Sequence, residues 1–194
     1  VSTGTNNHFA VSLSSIGNIS GSDTTLTIFA LAPNTLYGLQ AGSLNVDGST
    51  NPVSVSASTY TLAITPSVVG FNVYQTSISV TLDRLTNPVG TKLVISTGTD
   101  SNFSVSLSSA GASQSGNTTL TILGLTPNTL YGIQASAINS NVPASTAPAV
   151  TVTASTTTLS AVVTVTSFSI YTTSASITLG SNGNPIGTQI VVST

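Results

Sequence analysis

Along Ile78-Ser79-Val80-Thr81-Leu82, apolar and hydroxyl side chains alternate one by one. They do so again in Phe103-Ser104-Val105-Ser106-Leu107 and in Val150-Thr151-Val152-Thr153. A period of two sends the apolar set to one face and the hydroxyls to the other, which is how a strand with one buried face reads. Turn-forming residues interrupt the alternation at Asn87-Pro88-Val89-Gly90, across residues 111–117 and at Thr126-Pro127-Asn128. In the middle of the chain the pattern predicts strands over 67–73, 77–83, 91–97, 103–108, 118–123, 129–139 and 149–154. Seven short strands in roughly 95 residues predict an all-β sandwich.

The pattern is stated more than once. Ser2-Thr3-Gly4-Thr5 returns as Ser96-Thr97-Gly98-Thr99, Thr24-Thr25-Leu26-Thr27-Ile28 as residues 118–122, and Pro33-Asn34-Thr35-Leu36-Tyr37-Gly38 as residues 127–132, each at an offset of 94. Val53-Ser54-Val55-Ser56-Ala57-Ser58 corresponds to residues 150–155, and Asn87-Pro88-Val89-Gly90-Thr91 to Asn184-Pro185-Ile186-Gly187-Thr188, at an offset of 97. The second copy therefore carries three extra residues between about Ala135 and Ala149. Val192-Ser193-Thr194 repeats Val1-Ser2-Thr3, so both ends stand at the same phase of the repeat. The expected division is a C-terminal part (strands C to G) of a first module over residues 1–60, a complete module over 61–156, and an N-terminal part (strands A to C) of a third over 157–194. The first residue is Val rather than Met, as expected of a segment that is processed, excised or taken from something longer.

Composition supports strands and removes several classes of partner. Serine and threonine supply 67 of the 194 residues, and methionine and glutamate are absent, so helix formers are scarce. Only 3% of residues are charged, yet a mean hydropathy of +0.40 gives the chain enough apolar mass for a core, unlike a disordered segment. The cations are Arg84 and Lys92, and the net charge is −2. Nucleic acid is not an expected partner, because phosphate binding needs clustered Lys or Arg. No apolar run reaches the ~18 residues of a membrane helix, so membrane insertion is not expected. No cysteine is present, which excludes disulfides and thiolate chemistry.

At Leu125-Thr126-Pro127-Asn128-Thr129-Leu130-Tyr131, and earlier at Leu31-Ala32-Pro33-Asn34-Thr35-Leu36-Tyr37, the chain resembles the tyrosine corner of fibronectin type III modules. The resemblance implies that Tyr37 and Tyr131 open strand F, each hydroxyl bonding back to the backbone upstream, with Leu31, Pro33, Leu125 and Pro127 as the rest of the corner. Residues 173–194 resemble the B to C region of tandem type III repeats in long bacterial surface proteins. The resemblance implies tandem fibronectin type III-like modules of seven strands each, in an extracellular or cell-surface setting. One departure is plain: where the family usually places a core tryptophan on strand B, this chain has Leu82 and Leu179.

Catalytic chemistry has little to work with. The only histidine, His8, has no Cys or acid beside it, and its counterpart in the second copy is Asn102. Asp23, Asp47, Asp83 and Asp100 are scattered and form no Asp-x-Asp-x-Asp calcium loop. Asp83 and Arg84 read as a surface pair. Lys92 invites an isopeptide bond to an asparagine, but its counterpart is Gln189 and no glutamate is available to assist, so a solvated edge lysine is the simpler reading. No Gly-x-Ser-x-Gly elbow or phosphate loop occurs. No enzyme activity, metal or cofactor is expected. Asn18, Asn102 and Asn117 begin Asn-x-Ser/Thr sequons, candidates for N-linked sugar in a chain where chance matches are common.

A surface of hydroxyls with almost no charge lacks the usual protection against association, and so does a strand edge with few lysines. Self-association into a fibre, sheath or filament is therefore expected, either along a longer array or by strand complementation between incomplete terminal modules. A passive stalk, or a ligand-binding adhesin module of a large surface protein, is the alternative.

Overall fold

The computed structural model describes residues 2–4, 13–99, 106–140 and 154–193. His8, Asp100 and Asn102 lie outside them. Every regular element among the described residues is a β-strand, and none is a helix long and apolar enough to cross a membrane.

The middle of the chain forms a two-layer sandwich. One layer holds β5 (Ser67–Val73), β6 (Ser77–Asp83) and β9 (Thr118–Leu123), in the order β5-β6-β9. The other holds β7 (Lys92–Gly98), β8 (Ser106–Ala112), β10 (Leu130–Ala137) and β11 (Ala154–Thr157), in the order β11-β10-β7-β8. All pairings are antiparallel. This is the all-β, fibronectin type III-like arrangement that the corner motif implied. Alternation along the strands decides what is buried: in β6 Ile78, Val80 and Leu82 are fully buried, and they meet Leu93, Ile95, Leu120, Ile122, Ile133 and Ala135 from both layers. Leu82, standing where the family has tryptophan, is thus a full core residue, its space shared with other aliphatic side chains.

β7 and β10 differ from the sequence reading by one or two residues at their ends, and two other strands differ further. The strand expected over 103–108 is described from Ser106, with 103–105 outside the described residues, and it runs on to Ala112, taking in the first two residues of the stretch read as its closing turn. Gly111 explains the difference. A Cβ there would stand 2.9 Å from Leu120 Cδ2, so this glycine serves close approach between layers rather than a turn. The last strand, expected over 149–154, is described from Ala154 to Thr157, with 149–153 outside the described residues. It continues past the reading because Thr156 and Thr157 pair with Tyr131 and Leu130.

On the N-terminal side, β1 (Ser2–Gly4), β2 (Leu13–Ser14), β3 (Leu36–Leu44) and β4 (Thr50–Tyr60) form one sheet in the order β2-β1-β3-β4. Shifted by 94 or 97 residues, this is the four-stranded layer of the sandwich. Among the described residues no second sheet faces it. Residues 24–28, identical in sequence to 118–122, form no ladder, because the strand that would pair with them, the counterpart of β6, is missing among the described residues. On the C-terminal side, β12 (Thr164–Ile170) and β13 (Ala175–Gly180) form a lone hairpin, matching β5 and β6. The strand expected near the C-terminal end is not formed: residues 188–193 match the region of β7 and lack the neighbours that β8 and β10 provide there.

The repeat also exposes a local strain. Leu85 sits at φ 57° in the turn after β6, where its counterpart is Asn182 at φ 54°. Asparagine tolerates this left-handed region and leucine does not. Leu85→Asn should stabilise the sandwich by about 0.5–1 kcal/mol and raise its thermal midpoint by roughly 2–8 °C, read by circular dichroism.

Candidate functional site: repeated junctions and two open faces

The two tyrosine corners have the same geometry. Tyr37 and Tyr131 are buried, and each hydroxyl accepts a hydrogen bond from a backbone N–H five residues upstream, Ala32 at 2.9 Å and Thr126 at 3.0 Å. Leu125 is buried in the core; Leu31, its counterpart, is only half-buried over the open sheet. Thr35 Oγ1 donates to the Pro33 carbonyl and Thr129 Oγ1 to the Pro127 carbonyl, closing the turn that places Asn34 and Asn128 at φ 44° and 48°.

These asparagines do more than turn the chain. Asn34 Nδ2 donates to Thr91 Oγ1 at 3.0 Å, and Asn34 Oδ1 accepts from the Ser140 N–H at 2.9 Å. The tip of the first corner is thereby tied to two loops of the sandwich that follows. Asn128 Nδ2 makes the equivalent bond to Thr188 Oγ1, also 3.0 Å. Thr61 straps the connecting chain to the corner behind it, donating to the Ala32 carbonyl at 2.6 Å and accepting from the Thr35 N–H. Thr158 does the same with the Thr126 carbonyl and the Thr129 N–H. Ahead of the strap, Asn87 is fully buried and pins Ile64 through both backbone groups, its Oδ1 accepting at 2.9 Å and its Nδ2 donating at 2.7 Å. Asn184 pins Ala161 in the same way. Asn139 Oδ1 adds a bond from the Ala63 N–H. The connection between the units is therefore fastened at Thr61, Ala63 and Ile64.

Sequence reasoning saw Asn87 and Asn128 only as turn residues and Thr91 as the start of a strand, and gave Thr61 and Thr158 no joining role. The signal that marks them was present: Asn34/Asn128, Asn87/Asn184, Thr91/Thr188 and Thr61/Thr158 are identical pairs in the repeat.

The remaining candidates are placed apart. Asn18 and Asn117 are exposed on separate loops. Asp83 and Arg84 do not act as an ion pair: Asp83 Oδ1 accepts from the Leu85 N–H, and Arg84 donates to the carbonyls of Gln114 and Asn87. Lys92 is exposed at the start of β7. The Asp47 carboxylate accepts from the Ser49 hydroxyl and N–H, which lowers its pKa, the hydroxyl contributing most. Among the described residues no three His, Cys, Asp or Glu side chains gather closely enough to hold a metal.

The two flanking sheets leave apolar faces uncovered. Ile177 and Leu179 of β13 are half-buried, while Val80 and Leu82, their counterparts, are fully buried. Phe168 and Ile170 of β12 are 64% and 82% exposed, whereas Phe71 and Val73 pack against the core of the complete sandwich. On the N-terminal sheet, Leu39 is half-buried and Ala41 exposed, where Ile133 and Ala135 are fully buried.

No family model and no curated protein matches the chain. Among solved structures it is similar to the chicken CNTN1 FN1–FN3 domains, at 23% identity and a TM-score of 0.38 over 70% of this chain, spanning 46% of that one. It is also similar to domains d3–d4 of the rat CD45 extracellular region, at 14% identity and a TM-score of 0.35 over 75% of each chain. The fold assignment stands on the strand order and register given above.

The junction bonds predict a measurable coupling. Asn34→Gly keeps the backbone's freedom at positive φ and removes the amide; Thr91→Val removes the accepting hydroxyl. In a double-mutant cycle followed by chemical unfolding, the two changes should couple by about 1 kcal/mol, and additive effects would mean that the bond does not tie the units together.

Proposed function

We propose that this chain is a structural segment of an extracellular fibre, sheath or surface filament, assembled from β-sandwich modules joined end to end. The division into part-modules over 1–60 and 157–194 around a complete one over 61–156 belongs to this reading. The observation that carries it is the repeated junction: Asn34 bonds Thr91 and Asn128 bonds Thr188 at equivalent positions, which sets a fixed spacing between successive units, as a fibre needs.

The chemistry of the surface fits assembly. Hydroxyl groups exchange hydrogen bonds with water for hydrogen bonds with a neighbour at little cost, whereas ions must be desolvated. The extracellular setting follows from the resemblance of the repeats to those of surface proteins. A stalk that spaces another domain from a cell wall draws support from the junctions alone; the nearly uncharged hydroxyl surface favours the fibre.

The purified 194-residue chain should form multimers at micromolar concentration, seen by light scattering and electron microscopy. They should persist from roughly 0.05 to 1 M salt, because few charges are present to screen. A monodisperse monomer across that range would contradict the reading.

A further inference from the structure

Asparagine is a chemically labile residue. Its side-chain nitrogen is lost as ammonia when the backbone nitrogen of the following residue attacks its Cγ. At the junctions that nitrogen is either engaged or has no proton to give up. Asn87 and Asn184 precede proline, which has no N–H. Asn34 and Asn128 precede Thr35 and Thr129, whose N–H groups donate to Thr61 Oγ1 at 3.1 Å and Thr158 Oγ1 at 2.9 Å. Asn139 precedes Ser140, whose N–H donates to Asn34 Oδ1. The prolines and threonine straps thus guard the junction amides as well as holding the chain.

Asn182-Gly183, the only Asn-Gly pair in the chain, breaks this pattern. Residues 181–184 form a turn in which the Asn184 N–H donates to the Ser181 carbonyl at 3.1 Å, with Asn182 and Gly183 at φ 54° and 87°. The Gly183 N–H has no acceptor among the described residues. Both residues are exposed. Leu85, the counterpart of Asn182 in the complete sandwich, is itself 43% exposed, so the outward position belongs to the turn. Glycine also lacks the Cβ that would crowd the approach to Cγ. Asp47-Gly48 could close the same ring, but there the Gly48 N–H donates to the Asn45 carbonyl at 2.9 Å.

This open turn lies against a junction. A Cβ on Gly183 would stand 4.0 Å from Pro127 Cγ, in the second tyrosine corner. Asn182 Nδ2 donates to the Val162 carbonyl at 2.7 Å, next to Ala161, which Asn184 pins. The first junction has Leu85-Thr86 at this place, with no amide to lose.

We propose that Asn182 is a site of spontaneous deamidation that loosens the second junction and leaves the first intact. Hydroxide takes the Gly183 N–H proton, and the nitrogen bonds to Asn182 Cγ. The Cγ–Nδ2 bond breaks, and Nδ2 takes a proton from water and leaves as ammonia, which returns the hydroxide. Water then opens the five-membered imide at one of its two carbonyls, giving Asp or isoaspartate, whose main chain is one carbon longer. Both products lose the donor to Val162 and set a carboxylate against its carbonyl oxygen. Isoaspartate also shifts Gly183 relative to Pro127. Nothing in this chemistry depends on the fibre reading.

The test is to incubate the whole chain at mildly acidic and mildly alkaline pH and map it by peptide mass spectrometry. Asn182 should gain about one mass unit, faster at the higher pH, and at a rate at least about tenfold above Asn34, Asn87, Asn128, Asn139 and Asn184. In the aged chain the Ala161 amide should exchange its hydrogen about tenfold faster, while that of Ile64, its equivalent at the first junction, is unchanged. Asn182→Gln would have to close a six-membered ring, so this variant should keep its Ala161 protection through the same incubation. Three results would overturn the proposal: Asn182 intact while another of these amides is lost, a deamidated Asn182 with unchanged exchange at Ala161, or the same loosening in Asn182→Gln.

Discussion

A sandwich core is closed by two layers, and neither layer is stable with its apolar face in water. That constraint organises the whole molecule. In the middle of the chain it is met: β6 supplies Ile78, Val80 and Leu82 to one side and β7 and β10 answer with Leu93, Ile95 and Ile133, all fully buried. On either side of that sandwich no second layer is found among the described residues, and the same sequence positions become half-buried or exposed. Because the residues are near-identical between copies, the difference comes from missing partners and not from different chemistry.

The junctions show why the words Pro-Asn-Thr-Leu-Tyr-Gly are written twice. Tyrosine ties the corner to its own unit, threonine closes the turn, and the asparagine between them reaches the next unit. One short stretch thus carries both the internal lock and the external joint. At the first junction Asn34 bonds two loops and is 6% exposed. At the second, Asn128 bonds Thr188 and is only half-buried.

Much of this was legible in the sequence because alternation is strict. The strands at 67–73, 77–83 and 118–123 were read to the residue. Where small residues stand in for alternation the reading failed: Gly111 and Ala112 were read into a turn but form the end of β8, Gly111 lying close to Leu120. The joints were visible as repeated letters, yet their role was not, since hydrogen bonds between Asn34 and Thr91 span 57 positions and no local rule links them. The unladdered state of 24–28 was hidden for the same reason. Its sequence equals that of β9, and only the strand beside it decides whether a ladder forms.

The central claim is that a layer of this sandwich forms its ladder only where the strand equivalent to β6 lies beside it. Amide hydrogen exchange at residues 24–28 tests it most directly, read against the identical residues 118–122 in the same chain. In this chain the amides of 24–28 should exchange freely while those of β9 are protected. Protection of 24–28 equal to that of β9 would contradict the account.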